Sequence, residues 1–387
     1  MLRRQSEIRI SKSETNSETN KISNRENPKH PLRRKLVWNF TYLGHLKLFR
    51  ISVFVLRNFL LLAPLRDTAL TSTSLSENLR IYLASFLFSI SCLLADAGAE
   101  PPGKWQIRAS LPSSRTEVAA AEMGGKIYVI GGYGKNGNLV EAYDPEKDRW
   151  HRRASLPKSL HHAGAAVVNG KIYIIGGYIS GIGPVDTVYE YDPAADRWRA
   201  KKPMPTARGA LAVGVIAGKI FAAGGVGTDG TNTAANQAYD PLQDRWTNHA
   251  PMPTRRDHHA IAVINEKLHA IAGRINGNHD RSIGVHEEYD PVTNLWRVRS
   301  PLPSIRSGIA AASLKGKIFI FGGEYGRRTR DQVESFDPVS NQWETWAAMP
   351  TARHGLGAVV LGQSIYVISG GPKPGTSFSS VNEVFTP

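Results

Sequence analysis

The chain has 387 residues, 41% of them hydrophobic and 21% charged, which is enough to bury a large core and ordinary for a globular protein. Its formal charge of +15 is uneven: residues 1–99 carry 15 Lys+Arg against 7 Asp+Glu, leaving 33 against 26 for the other three quarters. One cysteine, Cys92, excludes an internal disulfide and a thiolate metal cluster, and 36 glycines with 23 prolines favour an all-β chain of many short turns.

Residues 1–35 are polar and aperiodic and are expected to be disordered, in a basic extension running to residue 79. Residues 36–66 are apolar but interrupted by Lys47, Arg50, Arg57 and Arg66, so a clean span of about 20 apolar residues does not fit. Residues 80–99 have the layout of a secretory signal: Arg80, the apolar run 81–94, then Ala95-Asp96-Ala97-Gly98-Ala99. Cleavage after Ala99 would give an exported chain, periplasmic or extracellular, without a stable membrane span. An uncleaved 80–99 would anchor it. Signals normally open a chain, so a translation start within 60–79 is expected.

From Trp105 the chain repeats at 45–50 residues. Trp105, Trp150, Trp198, Trp246, Trp296 and Trp343 are each followed six positions later by Leu or Met and then Pro, as in Leu111-Pro112 and Met349-Pro350. Five of them end an Asp-Pro-x-x-Asp/Asn-x-Trp run preceded by Tyr143, Tyr191, Tyr239, Tyr289 or Phe336. A short β-branched and aromatic run ends in two glycines, as in 127–132 and 318–323, with Ala272-Gly273 as a degenerate copy. The diglycine, the aromatic before Asp-Pro and the spaced tryptophan together resemble the kelch repeat over residues 104–387. The resemblance implies an all-β, six-bladed β-propeller with one four-stranded blade per repeat. The last repeat stops before any outer strand and 104–109 is an outer strand without a blade, so the two should pair and close the ring.

Alternating strand direction places two sets of connections at one face: outer strand to next inner strand, and second strand to third. The second-to-third loops vary, Tyr143 following Gly132 by 11 positions but Tyr289 following Gly273 by 16. Variable loops make this loop face the expected binding face. Three residues after each repeat proline stand Arg115, Arg208, Arg256, Arg306 and Arg353, with Leu160-His161-His162 in the second copy. These arginines are expected to ring the channel mouth beside Arg274, Glu324, Tyr133 and Tyr178 and to grip an acidic peptide or an anionic carbohydrate. The competing expectation is that they are consensus arginines bonding loop carbonyls and nearby acids.

The kelch resemblance also implies what to exclude and what to keep. Copper enzymes resembling galactose oxidase need a cysteine cross-linked to a tyrosine, and Cys92 lies outside the repeats. No cofactor, metal or nucleic-acid partner is expected; alternation along a strand lets at most one of His161/His162 and one of His258/His259 reach the channel. The sequence is read as a binding module. The enzyme alternative is a sugar-acid mutarotase resembling N-acetylneuraminate epimerases, with Glu324 as its base.

Overall fold

The computed structural model describes residues 100–387; the extension 1–79 and the signal-like segment 80–99 lie outside the described residues. Six four-stranded antiparallel sheets form the blades of a β-propeller, and the described residues contain strands and turns but no helix. Blade 1 shows the pattern: Ala119–Met123, Lys126–Ile130, Val140–Asp144 and Arg149–Arg153, from the hub outward. Consecutive inner strands are neighbours, and the sixth neighbours the first. Small side chains make this crowding possible, as in Ala119-Ala120-Ala121, Gly164-Ala165-Ala166 and Ala310-Ala311-Ala312. Each second strand is buried after its first residue, because blades cover both its faces.

Closure occurs as expected. Lys104–Ile107 pairs antiparallel with Asn382–Thr386, in the register Lys104↔Thr386 to Ile107↔Glu383, and so completes the sixth blade. Trp105 packs on Phe385, with ring centroids 5.0 Å apart.

The Asp/Asn-x-Trp signature is a clip between blades. Trp150 Nε1 donates to Ala109 O (2.8 Å), while Asp148 accepts both the Ala109 N–H (2.8 Å) and the Tyr143 hydroxyl (2.5 Å). The same set recurs with Trp198, Asp196, Tyr191 and Ala154, and with Trp246, Asp244, Tyr239 and Lys202. The Asp takes a left-handed backbone (φ 45° at Asp148), a conformation that Asp tolerates better than most residues. The tryptophan therefore fills the wedge and also ties its blade to the preceding one.

The first glycine of each pair leaves room for the backbone of the next blade. A Cβ at Gly176 (φ +62°) would lie 2.6 Å from the Arg208 carbonyl of the next blade. Where this position is not glycine the inter-blade bond lengthens: Gly273 N–H to Arg306 O is 3.3 Å after Ala272 and Gly370 N–H to Arg115 O is 3.1 Å after Ser369, against 2.8–2.9 Å in the other four blades.

Candidate ligand site at the mouth of the loop face

At the loop face each strand entering the hub opens with three consecutive positions: the repeat arginine (Leu160 in blade 2), the residue after it and the one after that. The third positions are Glu117, His162, Ala210, His258, Gly308 and Gly355, and all six have left-handed φ between 50° and 64°. Their backbones form a closed belt. Glu117 N–H donates to Gly355 O (2.7 Å), His162 to Glu117 (3.1 Å), Ala210 to His162 (3.0 Å), His258 to Ala210 (3.1 Å), Gly308 to His258 (2.9 Å) and Gly355 to Gly308 (2.9 Å). A left-handed conformation is uncommon for Glu and His, and the cyclic hydrogen bonding holds it in place. The belt surrounds a cavity of about 110 Å³ lined by these six residues and the ones that follow them, five apolar and His259.

The middle positions pair with the residue after the diglycine in the same blade: Thr116↔Tyr133, His161↔Tyr178, Asp257↔Arg274, Ser307↔Glu324 and His354↔Gly371 among them. This pairing brings the two connection types together at one opening, as strand polarity requires. Arg274 and Glu324, from adjacent blades, meet there: Arg274 Nη1 donates to Glu324 Oε1 at 2.6 Å. The same guanidinium contacts Asp257 Oδ1 (3.2 Å, from Nε) and His258 Nε2 (2.8 Å, from Nη2). Asp257 also bonds His258 Nδ1. His162 Nε2 lies 3.3 Å from Glu117 Oε2, and its Nδ1 lies 2.6 Å from His161 Nδ1. His354 Nε2 stands 3.7 Å from Glu117 Oε1 and 3.9 Å from Glu324 Oε2. Tyr133 and Tyr178 flank the rim, each beside His161.

Burial disfavours the charged form and dominates several titrations here. It holds His162 well below its usual range, helped by the neighbouring His258, His161 and Arg274. It pushes the Tyr178 hydroxyl up to about 12. Burial alone would raise Asp257, but hydrogen bonds from His258, Asn232 and the Gly277 N–H outweigh it and keep the carboxyl well below the usual carboxylate range.

Five predicted site residues need correction. Arg115, Arg208, Arg256, Arg306 and Arg353 do cluster at the loop-face end, but they are at most 1% exposed and turn into the blades. Arg353 donates to Ser369 O (2.6 Å) and Glu383 Oε2 (2.6 Å), and Arg115 to Gly131 O (2.5 Å) and Glu141 Oε2 (2.7 Å). Arg256 and Arg306 pair likewise with Glu287 and Glu334. Arg208 has the neutral Gln237 (3.0 Å) and carbonyls, and burial brings its pKa down to about 10. These guanidinium groups bond within the blades and do not line the cavity at the mouth. Arg274, Glu324, Tyr133 and Tyr178 are the predicted residues that do converge at the mouth.

The histidine expectation holds in one place and fails in another. His258 faces the mouth while His259 is buried in the blade with neither ring nitrogen bonded. His161 and His162 both reach the mouth, because the left-handed turn at His162 breaks strand alternation. Glu117 and Asp257 were missed, and His354, a candidate histidine in the sequence, also stands at the mouth. Their signal was the second or first residue after the repeat arginine, where other repeats have Ala, Gly or Ser.

Kelch family models match blades 1 to 5 of this architecture: the KLHDC2/KLHL20/DRC7 Kelch-repeats domain over 102–273 and two Kelch motif models over 255–303 and 305–350. The chain belongs to the kelch-repeat family. Among solved structures it is similar to YjhT, at 16% identity and a TM-score of 0.65, over 73% of this chain and 97% of that one. That likeness concerns the fold. No curated protein matches the chain. Among the described residues of this kelch propeller, no helix is long and apolar enough to cross a membrane.

Proposed function

We propose that this kelch propeller is an exported binding module that takes an acidic, hydroxyl-rich ligand, a sugar acid or an acidic peptide, at the loop-face mouth. The observation that carries this reading is the Arg274–Glu324 pair at the opening, beneath the exposed loop arginines Arg281, Arg327 and Arg328. A ligand carboxylate can exchange for Glu324 on Arg274, while loop cations attract it from solution. The test is calorimetric titration with N-acetylneuraminate and with a glutamate-rich peptide. Arg274→Met should weaken binding about 10-fold or more, the scale of one charge-assisted hydrogen bond. Equal affinity of wild type and Arg274→Met, or no binding of either ligand, would refute it. Export predicts that the secreted chain begins at Glu100.

A second reading, a sugar-acid mutarotase, is favoured by one atom. Glu324 Oε2 is buried without a hydrogen-bond partner, as suits a proton acceptor beside a carboxylate-holding arginine. Accelerated anomeric exchange of N-acetylneuraminate, seen by NMR and abolished in Glu324→Gln, would establish the enzyme. Exchange at the uncatalysed rate would leave the binding module.

A further inference from the structure

We propose that Glu117, His162 and His258 form a binding site for a divalent first-row transition-metal ion at the mouth of the channel. These residues come from blades 1, 2 and 4, and one ligand atom from each lies within 4.8 Å of the others. All three occupy the belt, so their backbones are fixed by cyclic hydrogen bonds rather than carried on free loops. Metal–nitrogen and metal–oxygen bonds of about 2.0–2.2 Å put ligand atoms roughly 3–3.5 Å apart, so closing on an ion needs shifts of about an ångström.

Four further observations support a cation at this place. Within the buried cluster, below the loop arginines, one guanidinium, Arg274, pairs with Asp257 and Glu324 while Glu117 has only histidines beside it, so the cluster itself carries excess negative charge when its imidazoles are neutral. Acceptors also converge without donors. His354 Nδ1 is directed at Gly371 O (3.1 Å), which leaves the Nε2 lone pair toward Glu117 and Glu324, and Glu324 Oε2 has no partner. His258 has the carboxylate partner that commonly orients a metal-bound histidine, Asp257 on its Nδ1, and the His162 ring is held by the His161 imidazole on its Nδ1. The remaining belt positions are Ala210, Gly308 and Gly355, which leave the cavity open for water or ligand oxygens on the ion. A Cβ at Gly355 would stand 2.5 Å from Glu117 Oε1.

Two imidazoles and one carboxylate suit Zn²⁺, Fe²⁺, Co²⁺ or Mn²⁺ and give too few oxygens for Ca²⁺. Arg274 must release His258 Nε2 when the ion binds; it retains Glu324 and Asp257 as partners. The expectation of no metal rested on strand alternation, which does not hold along the belt.

The test uses untagged full-length protein stripped with EDTA, titrated with ZnCl₂ by calorimetry and with CoCl₂ by visible absorption. One equivalent with micromolar or tighter affinity is expected, with d–d bands of low-coordinate Co²⁺ displaced by Zn²⁺. His162→Ala and Glu117→Gln should each weaken binding about 100-fold or more, and the positioning variant Asp257→Asn by about 10–100-fold. His151→Ala, on an outer strand, should bind as wild type. Circular dichroism checks folding, and the near-isosteric Glu117→Gln and Asp257→Asn decide the matter if His162→Ala does not fold. Absence of stoichiometric binding, or affinity unchanged in Glu117→Gln and Asp257→Asn, would overturn the proposal. Sugar-acid titration of the stripped protein is a separate measurement, so failure here and failure of the ligand reading can be told apart.

Discussion

Replacing Arg353 by Met separates a structural arginine from a ligand-binding one. Its guanidinium is fully buried and gives hydrogen bonds to Ser369 O and Glu383 Oε2, both at 2.6 Å. Met keeps much of the volume but strands the Glu383 carboxylate, itself 2% exposed. Breaking a buried pair from one side costs about 3–5 kcal/mol. Arg208→Met is the internal comparison. Gln237 is neutral and still receives the Thr206 hydroxyl at 3.1 Å, so no charge is stranded and the loss should be about 1–3 kcal/mol. Removing both partners, Arg353→Met with Glu383→Met, should recover most of the single-variant loss. The assay is urea and thermal unfolding followed by tryptophan fluorescence, sensitive here because the indoles sit between blades. At roughly 2–4 °C per kcal/mol the two single variants should be separable. The reasoning fails if Arg353→Met melts with wild type, or if the double variant is less stable than Arg353→Met.

Two further outcomes follow from the same packing. His269 and His286 are buried against each other (2.9 Å), and burial brings them down to about 4 and about 3 from 6.5. Both are thus neutral when folded, while the unfolded chain takes up protons below about pH 6.5, so stability should fall as pH drops from 6.5 toward 4, by up to about 1.4 kcal/mol per pH unit for each. His286→Gln should flatten urea midpoints measured at pH 7, 6 and 5 by about one proton's worth; an unchanged slope would mean that His286 is not held neutral. Deleting residues 104–112 removes the outer strand of blade 6, the Trp105–Phe385 contact and buried Leu111, and should lower the melting temperature of the whole ring; an unchanged melt would contradict closure.

The ring itself was legible because each repeat carries the same inter-blade clip, and a Trp or a Tyr before Asp-Pro leaves a mark in sequence wherever it recurs. Six marks, an orphan first strand and an unfinished last repeat specify both blade number and closure. The arginines were legible as a pattern and misread as chemistry, because a single strand cannot reveal what a guanidinium meets some 30 residues later. Comparing the repeats with one another supplies that information. Glu141, Gln237, Glu287, Glu334 and Glu383 all stand two residues before the aromatic of their repeat, and each accepts from the arginine of its own blade and from a Ser or Thr two residues before that arginine. In blade 2 all three positions change together, to Lys158, Leu160 and Tyr189. A ligand-binding arginine has no reason to disappear with a Ser/Thr and an acid of its own blade; a buried ion pair does, since losing one member strands the other. The mouth behaves in the opposite way. Glu117, His162 and His258 have no counterpart in the other repeats, where Ala or Gly fills the same belt position. Nothing in blade packing demands those three side chains, so chemistry at the opening is the reason left for them to be there.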